Sequence, residues 1–91
     1  MNDARRAQIR TILKSITNIK EEVDAIKCDI ECIKDEEQAS LDSTPESFHN
    51  SDRYVTGEES VSFLDESIDN CDEIDSIFDS IVESLEEIIE I

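Results

Sequence analysis

Branched aliphatic residues recur along the first part of the chain at Ile9, Ile12, Ile16, Ile19, Val23, Ile26, Ile30 and Ile33, in alternating steps of three and four. This is the spacing of a coiled-coil seam. Ile9, Ile16, Val23 and Ile30 take the a positions, and Ile12, Ile19, Ile26 and Ile33 the d positions. The pattern predicts a first helix from about residue 3 to about residue 39, where the seam degenerates. A second apolar series reads Val61, Leu64, Ile68, Cys71, Phe78, Val82, Leu85 and Ile89. Asp75 falls at an a position in this frame. Ile74, Ile77, Ile81 and Ile88 make a further apolar row to one side, so the stripe widens or shifts frame by a three-residue step near Cys71. Thr56-Gly57-Glu58-Glu59 is an S/T-x-x-E box and places the second helix at about 57–91. The connection is 40–56. Within it Ser43-Thr44-Pro45-Glu46 predicts a short helical turn near 44–50.

Turn chemistry excludes the main alternative. A multi-strand sheet needs a turn for each strand pair, and the chain has one Gly and one Pro in 91 residues. The expected fold is therefore all-α and a single domain: an antiparallel two-helix coiled-coil hairpin.

Charge chooses the direction of the helices. Residues 1–20 carry Arg5, Arg6, Arg10, Lys14 and Lys20 against Asp3, whereas residues 54–91 carry 13 acidic side chains and no Lys or Arg. Each distribution opposes its own helix dipole at the ends, and an antiparallel partner compensates by laying the basic segment beside the acidic one. The e positions agree: Lys20, Lys27 and Lys34 on the first helix match Asp79, Asp72 and Asp65 on the second. The expected core layers are Ile33 with Ile68, Ile30 with Cys71, Val23 with Phe78, Ile19 with Val82 and Ile16 with Leu85. A competing arrangement pairs the first helix with a second copy of itself in parallel, Glu22 and Asp29 meeting Lys27 and Lys34. Two helices cannot bury stripes this wide alone. Homodimerisation into a four-helix bundle through Ile74, Ile77, Ile81 and Ile88 is the expected remedy.

The residues that could carry chemistry are few. Cys28 and Cys32 stand one turn apart and face away from the seam, in poor geometry for a disulfide and two ligands short of a metal site. Cys71 lies on the apolar stripe. Glu46 and His49 have the E-x-x-H spacing of di-iron bundles, but His49 is the one histidine and sits in the connection. That lone histidine also denies the chain a Ser-His-Asp or Cys-His set. The aspartates of the second helix recur at helical spacing without the Gly-bearing loop of a calcium site. The reading is a protein without catalytic activity, cofactor, metal or small-molecule substrate. No apolar stretch follows Met1 as in a signal peptide, and none is long enough to span a bilayer. An odd number of cysteines fits the reducing cytoplasm. The formal net charge of −17 argues against direct contact with nucleic acid or anionic membranes and for a partner with a basic surface. The acids of the second helix stand about 4 Å apart along its axis, close to the roughly 3.4 Å charge spacing of one nucleic-acid strand. Asp65, Asp69, Asp72, Asp79, Glu83, Glu86, Glu87 and Glu90 are the expected partner-binding residues.

Three stretches carry a resemblance: Ala4-Arg5-Arg6-Ala7-Gln8-Ile9, Ile33-Lys34-Asp35-Glu36-Glu37-Gln38, and the connection from Pro45-Glu46-Ser47 through Asp52-Arg53-Tyr54. Together they resemble small acidic helical accessory proteins of phages and prophages of Gram-positive bacteria. The chain departs from that pattern at Thr44, where the group tends to have Met, and at Phe48 and His49. The resemblance implies a viral protein of the host cytoplasm that inhibits a host defence protein, in some cases by imitating DNA. The alternative is a structural, self-assembling coiled coil with no charge-dependent target.

Overall fold

The computed structural model describes residues 1–91. It contains helix α1 (Asp3–Asp42), a single 3-10 turn (Glu46–Phe48) and helix α2 (Asp52–Glu90). The fold is the all-α helical hairpin expected from the spacing.

The helix ends follow local hydrogen bonding. Asn2 caps α1, its side-chain oxygen accepting the Arg5 backbone N–H at 2.9 Å. The C-terminal carbonyls of α1 are used without a left-handed residue: Thr44 and Ser43 both donate their hydroxyls to the Ser40 carbonyl, at 2.9 and 3.0 Å. Pro45 then disfavours helical geometry at Thr44 and stops the helix. Helix α1 runs three residues past the expected end because Leu41, only 6% exposed, is buried against α2. Helix α2 starts five residues before the expected position 57. Ser51 is its cap, its Oγ accepting the Tyr54 N–H at 3.2 Å, and Thr56 instead donates back to the Asp52 carbonyl within the helix. Gly57 is thus an interior helical residue. A Cβ there would stand 2.7 Å from Leu41 Cδ2 and 2.8 Å from Glu37 Oε1, so its role is to let the helices approach closely.

Residues touch neighbours on their own helix and directly across the pair, and these contacts fall into two units. The terminal unit comprises Met1–Ala25 and Cys71–Ile91, and the loop unit Ile26–Asn70. In the terminal unit Lys20 pairs with Asp79, and in the loop unit Lys34 pairs with Asp65. Both are pairs expected of an antiparallel hairpin. Lys27 approaches Glu31 of its own helix at 4.0 Å.

The seam differs from the expected one on α1. The a residues Ile9, Ile16, Val23 and Ile30 are covered, as expected. The d residues are not: Ile12, Ile19, Ile26 and Ile33 are 49, 43, 54 and 54% exposed. Their place is taken by the e row, Leu13 and Lys20 in the terminal unit and Lys27, Lys34 and Leu41 in the loop unit. The physical reason lies in the side chains of that row. Two are leucines, and the lysines lay their methylene stems along the seam while their ammonium groups reach Asp79 and Asp65. The layers Ile19 with Val82 and Ile33 with Ile68 are therefore corrected, since their α1 members face outward. Helix α2 keeps one heptad frame without a three-residue step. Gly57, Val61, Leu64 and Ile68 are covered in the loop unit, and Cys71, Asp75, Phe78, Val82, Leu85 and Ile89 in the terminal unit. The deeply buried apolar residues are only Ile16, Leu41, Val61 and Cys71.

Candidate interaction surfaces

The a/e seam of α1 gives the terminal unit two unlike faces. On the edge where Lys20 meets Asp79, the b and e positions of the two helices carry Arg10, Asp24, Asp72, Glu83, Glu86 and Glu90. On the opposite edge the d row of α1 and the g and c rows of α2 come to one side. There Ile12 and Ile19 stand with Ile74, Ile77 and Ile81, flanked by Gln8, Ser15 and Ser84, with Arg5 and Glu22 the charged residues of the α1 side.

The charged edge sorts the acids expected to bind a partner. Asp65 and Asp79 are engaged by lysines of their own chain, and Asp72 does not stand free either. These e-row acids serve the hairpin's register. The hydrogen bond that Lys20 donates to Asp79, helped by nearby Asp75 and Asp24, holds the Lys20 ammonium above its ordinary pKa, and Asp65 acts likewise on Lys34. Asp69, Glu83, Glu86, Glu87 and Glu90 are exposed as expected. Sequence reasoning passed over Glu59, Glu66 and Glu73, which lie on the same outward b/f face of α2 and are equally exposed. Projection of α2 onto a helical wheel was signal enough to find them. The loop unit has the larger imbalance, 13 acidic against 3 basic residues, compared with 12 against 5 in the terminal unit.

The apolar edge contains the residues expected to self-associate. Ile74, Ile77 and Ile81 are 42, 55 and 41% exposed, whereas Ile88 is half-covered at the margin. The exposed d row of α1 was missed because the heptad reading had placed it in the intramolecular seam. On α2 a shallow groove is lined by Ile77, Ser80, Ile81, Ser84 and Leu85.

The remaining candidates have structural settings. The His49 ring stacks on Tyr54 with centroids 4.2 Å apart and planes 12° from parallel, and its Nε2 lies 3.0 Å from the Thr44 carbonyl oxygen. Histidine and tyrosine together brace the turn between the helices, and no group of three or more potential ligands converges there or elsewhere. Cys28 and Cys32 are exposed and Cys71 is buried, all with free thiols. The Glu36 carboxylate beside Cys32 raises that thiol above its ordinary pKa and disfavours the nucleophilic thiolate. No helix is long and apolar enough to cross a membrane.

No family model, curated protein or solved structure matches this chain.

Proposed function

We propose that the chain is a non-catalytic binding protein, an inhibitor of the phage-accessory kind that engages a basic surface on a host protein through the outward acidic face of α2. The observation that carries this reading is the one-sided chemistry of that face. Every charged side chain from Tyr54 to Ile91 is acidic, and Glu59, Glu66, Asp69, Glu73, Glu83, Glu87 and Glu90 all stand exposed on its b and f rows. A surface kept soluble by charge alone mixes signs. This one has the charge sign of a nucleic-acid strand at about half its linear density, its seven acids spread over roughly 47 Å of helix, which suits a groove evolved for nucleic acid. The partner is then a protein of the host cytoplasm, and the acids compete there with its nucleic acid.

The test is a quadruple reversal at positions that hold no lysine of their own chain: Asp69→Lys, Glu83→Lys, Glu87→Lys and Glu90→Lys. Immobilised wild-type protein is expected to retain basic nucleic-acid-binding proteins from a bacterial lysate at low salt and release them as salt approaches 1 M, where the screening length falls to about 3 Å. The reversed variant is expected to keep its helical circular dichroism and lose this capture. Capture that survives both reversal and high salt contradicts the proposal.

The exposed isoleucines favour a second reading, a self-assembling coiled coil in which the acids only solubilise. It expects no salt-sensitive capture.

A further inference from the structure

We infer that the apolar edge of the terminal unit is a homodimer interface, on which a second copy of this chain packs face to face to complete a four-helix core. This goes beyond the partner-binding reading and does not rest on it, since its isoleucines lie on the d, g and c rows whereas the acids of that reading lie on the b and f rows.

Three observations commit the edge to a second copy. The first is exposed area. The chain exposes 6728 Å², whereas a compact monomer of 10.4 kDa exposes roughly 5,400 Å². That excess of about 1,300 Å² belongs to the whole chain; on this edge it includes Ile12, Ile19, Ile74, Ile77 and Ile81, each 41–55% exposed, where a standard interface takes roughly 800 Å² from each partner. The second is shape. Ile77, Ser80, Ile81 and Ser84, which line the groove on α2, are spaced i, i+3, i+4 and i+7. That is the four-residue hole that accepts a single knob in helix packing. The exposed Ile12 and Ile19 on the neighbouring helix are side chains of the right kind to act as knobs. A two-fold axis lets each copy offer knobs and holes at once.

The third is charge. In a chain with a net charge of −17, two copies repel over almost any pair of faces. The middle of this edge carries isoleucine, serine and glutamine, with Arg5 and Glu22 along α1 and Glu73 and Glu87 to either side of Ser80, so it is where identical copies can meet with the fewest opposing carboxylates. A basic partner gains nothing from its isoleucines and is drawn to the acids of the b and f rows. Ile74, Ile77 and Ile81, expected from sequence to self-associate, belong to this interface. Ile12 and Ile19, the residues expected to lie inside the hairpin, complete it.

Sedimentation equilibrium across a concentration series, with circular dichroism on the same samples, tests the inference. The wild-type chain is expected to have twice its 10.4 kDa mass at micromolar concentration, and to associate more tightly as added salt screens the repulsion between copies. Ile19→Glu combined with Ile81→Glu is expected to give a helical monomer, its dissociation constant raised by more than about a hundredfold. Should the glutamates lower helicity, Ile19→Ser with Ile81→Ser provides the same comparison, with the same loss of dimer expected. A wild-type protein that is monomeric at millimolar concentration, or a helical variant of either kind that keeps the dimer mass, overturns the inference.

Discussion

Replacing Leu41 with alanine lowers the unfolding free energy by about 2–5 kcal/mol, a large share of the roughly 5–14 kcal/mol available to a domain of this length. Leu41 is 6% exposed. Its Cδ2 lies where a Gly57 side chain would begin, so truncation leaves a cavity at the closest approach of the helices. The informative control is Ile33→Ala. Ile33 is 54% exposed, and its truncation is expected to cost less than about 1 kcal/mol. A seam built on the a and d rows would reverse this order, because Ile33 would lie inside and Leu41 at its flank. Thermal and urea melts of the two variants, followed by circular dichroism at concentrations where the chain is monomeric, decide between the seams.

Asp75→Ile has the opposite sign and is expected to stabilise the hairpin by about 1–3 kcal/mol. Asp75 occupies an inward position of α2, and its Oδ1 is buried without a hydrogen-bond partner. That oxygen lies out of water with no donor, and the nearby Lys20 has Asp79 as its closer partner. Isoleucine at this position extends the apolar seam, removes one of 25 acidic charges, and leaves the Lys20–Asp79 pair in place. At about 4–8 °C per kcal/mol for a domain of this size, the melting temperature should rise well beyond measurement error. A fall would mean that the carboxylate holds the helices in register more strongly than its burial opposes folding. A single polar residue at an a position is known to act in that way.

The hairpin and its direction were legible in the sequence because each rests on a signal repeated over many residues. Eight branched aliphatics at heptad spacing announce α1, and lysines facing aspartates at matching e positions orient α2 against it. The rotation of α1 about its own axis was not legible. Three rows compete for two places in the seam, and hydropathy favours isoleucine over lysine, so sequence alone selects the d row. Only the partner helix reveals that lysine stems cover the seam while their ammonium groups are satisfied at Asp65 and Asp79. The same cause split the candidate surface. Asp65, Asp72 and Asp79 read from sequence as part of an acidic comb, but as register residues they are committed within the chain. The outward acids Asp69, Glu83, Glu87 and Glu90 keep the place that sequence assigned them. The start of α2 was misplaced for a local reason: Thr56 and Ser51 both offer capping hydroxyls, and the choice depends on where the 3-10 turn leaves the chain.

The central claim is that the two helices of one molecule pair with each other, the a and e rows of α1 turned inward. An isotope-filtered nuclear Overhauser experiment on a mixture of labelled and unlabelled chains tests it most directly. The account predicts contacts between Val23 and Phe78 and between Ile16 and Leu85 within the labelled molecule, with label-to-unlabel contacts confined to Ile12, Ile19, Ile74, Ile77 and Ile81. Contacts of Ile16 and Val23 found only between different molecules, matched residue to identical residue, would mean that α1 pairs in parallel with its own copy and would contradict the hairpin.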